Sequence, residues 1–405
     1  MRIAFVSYEH PKGIDGGGIG TYIGQASKVM ALRGHNVEVF CASETSNGSV
    51  KSVEYDGYTL HFISTSGRKK FRKDILNFFS ARHDDKKFDI VEGPEYGADG
   101  LYIKETFPDL PFTLKLHTPS FLTKELNKTD TITNKVRFIL GGLLRGRISK
   151  PYWTYDKEKD DEYKIFCLAD SVSSPSNSLQ KIVNLKWDTE KEIKVLPYPF
   201  IPVQNLLDLQ PDSVQKGIVV SFIGRLEKRK GVLDLMKAIP DILKENHHIQ
   251  FRFIGKPLPS PVKGKNMDEF MMQILKDNIK NVSFLGSVSY EMIPQILKET
   301  HICIFPSIWE NFPNVCLEAM AAGKAVIGTD TGGMADIIQD NVSGLLIRPN
   351  SPTAIKQAIL YLANRPEKIG SLGGEARKRI LSAYSANKIG EETELFYQAT
   401  INSKS

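Results

Sequence analysis

The sequence predicts an α/β chain of two domains, each built on a parallel sheet. Three observations carry this. Apolar runs of strand length alternate with longer, helix-length stretches. The first forty residues already form a strand–loop–helix–strand unit. After a proline-bearing stretch near residue 200 the alternation begins again, in a chain whose 405 residues are long for one core.

Composition narrows the class. With 41% hydrophobic and 25% charged residues the chain is neither disordered nor a coiled coil. A net charge of +6 suits a polyanionic ligand or a loose attraction to an anionic membrane face. It is too small to argue for nucleic acid, and no nucleic-acid-binding pattern is present. The four cysteines (Cys41, Cys167, Cys303, Cys316) form no C-x-x-C pair, so a zinc site has no support. Three lie in apolar runs and read as small buried hydrophobes, which suggests a reducing compartment. The start, Met1 to Ser7, reads as a strand and not a signal peptide, and no uncharged run of about 18 apolar residues predicts a membrane span.

The elements follow in order. Ile3, Phe5 and Val6 make the first strand, and residues 11–20 a glycine-rich loop. A helix runs from about Thr21 to Leu32 with Gly34 as its stop, and Asn36–Phe40 is the next strand. This βαβ unit implies a parallel sheet. The loop is neither a Walker A sequence nor G-x-G-x-x-G, but its glycines stand where backbone amides can approach a ligand. Tyr58–Ile63 is a strand. The basic run Arg68–Lys73 reads as a solvated helix start, with docking to a membrane or an anionic acceptor as the alternative. Phe88–Glu92 and Phe112–Leu116 are strands, and each leads into a loop, the first holding Glu95 and the second His117. Open α/β sheets bind ligands at such strand ends. Residues 121–160 are the least regular part; Ile139, Leu140, Leu143, Leu144 and Trp153 lie among Arg137, Arg145, Arg147 and Lys150. An insertion packed on the first domain is expected there, with an interfacial helix or an acceptor lid as alternatives. A helix from about Asp161 and strands at Ala169–Ser174 and Ile193–Pro199 complete the first domain. Pro197, Pro199, Pro202 and Pro211 mark a linker.

The second half opens with Ile218–Ile223, a continuous apolar strand of the kind buried on both faces. A helix follows with Leu233, Leu235, Met236 and Ile239 as its stripe. Strands are expected at Ile249–Ile254, Val282–Leu285, His301–Phe305, Ala325–Gly328 and, at the edge, Leu345–Ile347. Ser351 and Pro352 should cap and start a helix. Two more helices, near 371–383 and 386–400, end the chain.

The most informative stretch is Phe305–Gly323, FPSIWENFPNVCLEAMAAG. A buried strand ends at Pro306-Ser307, a loop carries Glu310, and a helix carrying Glu318 closes at Gly323. Helical side chains lean toward the N-terminus, so Glu318 leans toward the loop of Glu310. Anions are favoured at the helix end, and ionised carboxylates accept from sugar or ribose hydroxyls.

The E-x7-E spacing of Glu310 and Glu318, within P-S-x-x-E-x-F-x5-E-A-M-A-x-G, resembles the signature of the retaining glycosyltransferases of family 4, which have the GT-B fold. The resemblance covers almost the whole chain and is most specific in the second half. It implies two Rossmann-like, doubly wound parallel-sheet domains facing across a cleft. Residues 1–205 would bind the acceptor and 206–385 the nucleotide sugar, and a C-terminal helix, 386–405, would cross back to the first domain. Gly224–Gly231, G-R-L-x-x-x-K-G, is similar to the family's diphosphate clamp, so Arg225 and Lys230 would stabilise charge on the leaving diphosphate. Glu318 would hold the ribose hydroxyls. Glu310 and the segment after it (Asn311, Phe312, Asn314, Val315) would hold the donor, with Gly332 and Gly333 at phosphate or sugar. Gly17 and Gly18 would face diphosphate and acceptor, and His117 the transferred sugar. Glu95 is a lesser acceptor-site candidate.

The implied reaction is retaining transfer of a hexose from a nucleoside diphosphate sugar to a hydroxyl of a glycan or lipid-linked acceptor, in polysaccharide biosynthesis. UDP-glucose is the favoured donor; another UDP-hexose or GDP-mannose comes next. No cofactor or metal is expected, since the sequence has no D-x-D. A cytoplasmic protein is expected, with peripheral contact at the inner membrane face left open and no nucleic-acid partner. Two departures from the family pattern bear on the donor sugar. Pro313 lacks an N–H where many members are glycine-rich, and Asp336 replaces a more usual Glu. The rival readings are a sugar-nucleotide epimerase on the same fold, a non-catalytic nucleotide-sugar binding subunit, and a nicotinamide dehydrogenase. The last should carry a dinucleotide glycine fingerprint, which neither half has.

Overall fold

Two units make up the chain in a computed structural model that describes residues 1–14, 17–43, 50–126, 141, 155–210 and 217–404. One comprises Met1–Ser173, Val183–Lys194 and Phe396–Ser405; the other comprises Ser174–Ile182 and Val195–Leu395. Most of the irregular segment 121–160 (Arg137, Ile139, Leu140, Leu143, Leu144, Arg145, Arg147, Lys150, Trp153) lies outside the described residues, as do Gly16 of the glycine loop and Pro211.

The first unit is organised on an eight-stranded sheet: β1 (Arg2–Ser7), β2 (Asn36–Ser43), β3 (Val50–Tyr55), β4 (Tyr58–Ser64), β5 (Ile90–Pro94), β6 (Phe112–Lys115), β7 (Ser171–Ser174) and β8 (Ile193–Val195), in the order β3-β4-β2-β1-β5-β6-β7-β8. β1 pairs in parallel with β2 and β5, and all six of its residues are buried, as a strand covered on both faces must be. β3 runs antiparallel to β4 and is joined to it by Asp56-Gly57 with both φ values positive. That is the left-handed pair a two-residue hairpin turn demands. The helix Gly18–Leu32 begins three residues before the expected Thr21 and buries Tyr22, Ile23, Ala26, Val29 and Met30. From the last helix, Tyr397 donates its hydroxyl to Glu92 on β5 at 2.8 Å.

The basic run opens a helix, Arg68–Asp85, but it is not uniformly solvated. Lys69 and Lys70 are exposed, whereas Arg72 is buried and bonds Asp161 at 2.8 Å. Arg68 pairs with Glu9 and Asp99 and lies over the rings of Tyr8 and Tyr96. Two of its cations thus hold carboxylates from distant segments, Arg68 the buried Glu9 and Asp99, and Arg72 the exposed Asp161.

The second unit holds a six-stranded sheet: β9 (Ile218–Ile223), β10 (Ile249–Ile254), β11 (Val282–Gly286), β12 (Ile302–Phe305), β13 (Ala325–Thr329) and β14 (Leu345–Ile347), in the order β11-β10-β9-β12-β13-β14. All its pairs are parallel. β12 and β13 are buried throughout. The helix Val232–Glu245 packs Val232, Leu235, Met236, Ile239 and Ile242 into the core, and β14 is an edge. Ser351 caps its helix by accepting from the Ala354 N–H, with Pro352 in the first turn. Since β9, β12 and β13 are parallel neighbours, the loops after their C-terminal ends emerge side by side. Those loops hold Arg225–Lys230, Ser307–Pro313 and Thr331–Gly333.

Candidate active site

The loop between β12 and the helix Asn314–Ala321 is held carbonyl by carbonyl. The oxygen of Ser307 accepts from Thr329 Oγ1 (2.8 Å), that of Ile308 from Thr331 Oγ1 (2.9 Å), that of Trp309 from Arg229 Nη1 (3.2 Å) and that of Glu310 from the Gly333 N–H (2.8 Å). In a trans peptide the N–H points opposite its carbonyl. With these oxygens turned toward the neighbouring loops, the N–H groups of Glu310 and Asn311 point the other way. Side chains add to the hold. Asn311 accepts from Ser176 Oγ at 2.9 Å, and Phe312 packs edge-on against Tyr198 and Tyr384. Phe312 is therefore a buried packing side chain that anchors the loop.

Glycine is obligatory beside this loop. A Cβ on Gly332, whose φ is +62°, would stand 1.9 Å from the Glu310 oxygen, and one on Gly333 would stand 1.7 Å from that of Asn311. A Cβ on Gly231 would meet the Pro306 oxygen at 1.8 Å. Asp336 accepts from the backbone and side-chain nitrogens of Asn177 at 2.8 and 3.0 Å. Its shorter reach thus serves the start of the helix Asn177–Trp187.

The two acids of the signature have opposite environments. Glu310 lies 2.5 Å from Lys230 Nζ and 3.3 Å from Arg229 Nη1. Burial pushes its pKa up, but Lys230 and Arg229 outweigh that, and it is held below the usual carboxylate value. Glu318 is equally buried and has no ion pair among the described residues. Burial pushes it up to about 7, against a smaller opposing effect of the Tyr290 hydroxyl. Divergent proton affinities in one constellation mark divergent roles. Arg225 is more exposed than Lys230 and pairs with Glu227 at 3.2 Å. Asn314 and Val315 occupy the first turn of their helix after Pro313, where backbone N–H groups have no acceptor within the helix.

In the first unit, Gly17 and Gly18 sit exposed at the head of the helix Gly18–Leu32, and a Cβ on either would meet nothing within 4 Å. His117 is buried, not a surface loop residue. Its backbone N–H donates to Glu95 at 2.7 Å and its ring meets Tyr22 edge-on. Burial, then Lys115 and Arg68, push its pKa well below the usual value, so the imidazole is neutral. Burial and then Glu162 push Glu95 well above its usual value. By accepting from the His117 N–H, Glu95 fixes the backbone at His117. Arg229 and Tyr290 were not among the sequence candidates. Arg229 is one cation in the run Lys228–Lys230, and only the fold distinguishes it.

Among the described residues, no three His, Cys, Asp or Glu side chains gather to hold a metal ion, and no helix is long and apolar enough to cross a membrane.

The family model for glycosyl transferases group 1 matches residues 207–379, and the model for glycosyltransferase family 4 matches residues 16–200. The chain belongs to the family 4 glycosyltransferases. Its fold is GT-B, as in the sucrose-phosphate synthase of Thermosynechococcus elongatus, which is 18% identical, with both chains fully covered, at a TM-score of 0.71. HepE of Anabaena, in complex with UDP, is 16% identical at a TM-score of 0.68, covering 98% of this chain and 100% of that one. The capsular polysaccharide biosynthesis glycosyltransferase CapM of Staphylococcus aureus is 24% identical over 384 residues, 90% of this chain and 96% of that protein. Two uncharacterized glycosyltransferases of Methanocaldococcus jannaschii are 31% and 29% identical over 157 and 217 residues. Those alignments cover 39% and 53% of this chain, and 41% and 50% of the relatives' own length.

Proposed function

We propose that this family 4 glycosyltransferase moves a hexose, with retention of configuration, from a UDP-sugar, UDP-glucose first, to a hydroxyl of a glycan or lipid-linked acceptor in polysaccharide biosynthesis. The observation that carries the reading is the pair of acids: Glu310 ionised beside Lys230, and Glu318 buried without a cation. An ionised acid paired with Lys230 suits a site for sugar and diphosphate, where Lys230 and Arg225 stabilise charge on the leaving group. An uncompensated buried carboxylate suits a ribose, whose two neighbouring hydroxyls supply the donors that it lacks. The N–H of Glu310, and those at Asn314 and Val315, are backbone donors for sugar and phosphate oxygens in this reading. Gly332 and Gly333 shape this loop from below. Gly17 and Gly18, at the head of the helix Gly18–Leu32, are the candidates to face diphosphate and acceptor, and His117, after β6, the candidate to face the transferred sugar. The UDP complex of HepE and the capsular role in CapM's name favour a UDP donor and a polysaccharide product. A cytoplasmic location is part of the same proposal.

The test is a panel of nucleoside diphosphate sugars in thermal shift, wild type against Glu318→Ala, followed by transfer assays in which proton NMR reads the anomeric configuration of the product. A UDP-sugar that raises the melting point of the wild type alone, and an α-linked product from an α-linked donor, are expected. An inverted product would refute retention; no response to any nucleotide sugar would refute the donor site.

A further inference from the structure

Five charged side chains alternate in sign through the second unit. Arg225 meets Glu227 at 3.2 Å, Glu227 meets Arg229 at 3.1 Å, Arg229 meets Glu310 at 3.3 Å and Glu310 meets Lys230 at 2.5 Å. Both cations at Glu310 address one oxygen, Oε1. Lys230 has no need of company to neutralise one carboxylate. A second, independently anchored cation on the same oxygen therefore asks for a reason.

Arg229 is anchored apart from Glu310. Its Nη1 also donates to the Trp309 carbonyl and its Nη2 to Glu227. Its planar fork allows all three contacts at once, whereas Lys230 is a point charge on a flexible stem. On the donor-site reading above, Lys230 has a second anion to serve, a diphosphate. A buried carboxylate that loses its cation is penalised heavily. Were Lys230 the sole partner of Glu310, each binding event would carry that penalty and weaken the donor's hold.

We propose that Arg229 is a positioning residue that takes over the Glu310 carboxylate when Lys230 turns to the diphosphate of a nucleotide donor, with Glu227 keeping Arg229 in place. The inference rests on the donor reading and adds to it a residue at an unspecified position of the G-R-L-x-x-x-K-G pattern. Glu227 also bonds Arg225, so the second candidate phosphate ligand is tethered to the same device.

The experiment is titration calorimetry with UDP, and with GDP and ADP in parallel, on wild type, Arg229→Met, Arg229→Lys, Glu310→Gln and the double variant Arg229→Met/Glu310→Gln. Arg229→Met is expected to weaken nucleotide binding about tenfold or more, the scale of one charge-assisted bond. Arg229→Lys keeps the charge and should stay within about threefold. In the Glu310→Gln background, Arg229→Met should have no further effect, because no carboxylate remains to hand over. A merely structural Arg229 would weaken binding equally in both backgrounds, and that result overturns the proposal. Wild-type binding left unchanged by Arg229→Met overturns it too, with the donor site intact. Absence of wild-type binding to all three nucleotides removes the donor reading and the hand-over with it.

Discussion

Replacing Glu318 by Gln should stabilise the protein above neutral pH and not in mild acid. The folded-state pKa of Glu318 is raised from 4.5 to about 7, chiefly by burial. Below pH 4.5 the acid is protonated both folded and unfolded, and nothing is lost. Between 4.5 and about 7 the unfolded chain ionises while the folded one holds its proton, so stability falls as pH rises. Above about 7 both forms are ionised and the loss is complete. At about 1.4 kcal/mol per pH unit the gap amounts to about 3 kcal/mol at pH 8, and to under about 1 kcal/mol at pH 5. Gln has nearly the same shape and no charge to bury, so it escapes this loss. Urea unfolding of wild type and Glu318→Gln across pH 5–8, followed by circular dichroism, reads the difference. The midpoints should lie close together at pH 5 and separate steadily, the variant higher at pH 8. A difference that is flat across that range would refute the account of Glu318 as a buried, uncompensated acid.

The same chemistry extends to binding. Ribose hydroxyls favour the ionised form, so UDP binding at pH 6.5 should release a proton, seen as a calorimetric enthalpy that varies with the buffer's ionisation heat; at pH 9 the dependence should vanish. Lys230→Met leaves Glu310 with Arg229 alone and should abolish nucleotide binding while lowering stability by about 1.5–3 kcal/mol in urea unfolding. Gly332→Ala forces a side chain against the Glu310 oxygen at a positive φ; it should lower stability by more than about 1 kcal/mol and weaken UDP-sugar binding in the same thermal-shift assay. Tyr397→Phe removes a hydroxyl from the buried Glu92 and should lower the melting temperature, by about 1–3 kcal/mol of stability, without changing UDP affinity.

The sheet strands were legible in the sequence wherever burial on both faces writes a continuous apolar run. β1, β9, β12 and β13 are such strands, and their runs mark them within a residue or two. β3 escaped because its sequence VKSVEY is mostly exposed and lacks an apolar run, although Asp56-Gly57 beside it is a hairpin signal. The Arg68–Lys73 run does start a helix, but it is solvated only in part, for a different reason. Charge density along the chain indicates solvent, but Glu9, Asp99 and Asp161 come from distant segments, and only the fold sets them against Arg68 and Arg72. His117 likewise looks like a loop residue in one dimension; the helix Gly18–Leu32 covers it with Tyr22.

At the site, spacing located the acids but said nothing of their surroundings. Eight positions apart, Glu310 and Glu318 look interchangeable in the sequence, and neither carries a mark of its pKa. What separates them is which neighbour each meets. The turn after β9 supplies Lys230 and Arg229 to Glu310, and the turn after β11 supplies only the neutral hydroxyl of Tyr290 to Glu318. A cation beside a buried acid keeps it charged; a hydroxyl leaves it poised between its two forms. If the acids divide the donor as proposed, Glu310 for sugar and diphosphate and Glu318 for ribose, that division is set by loops whose sequences do not contain them. A substitution at Arg229 or Tyr290 should accordingly alter donor binding as surely as one in the E-x7-E signature itself.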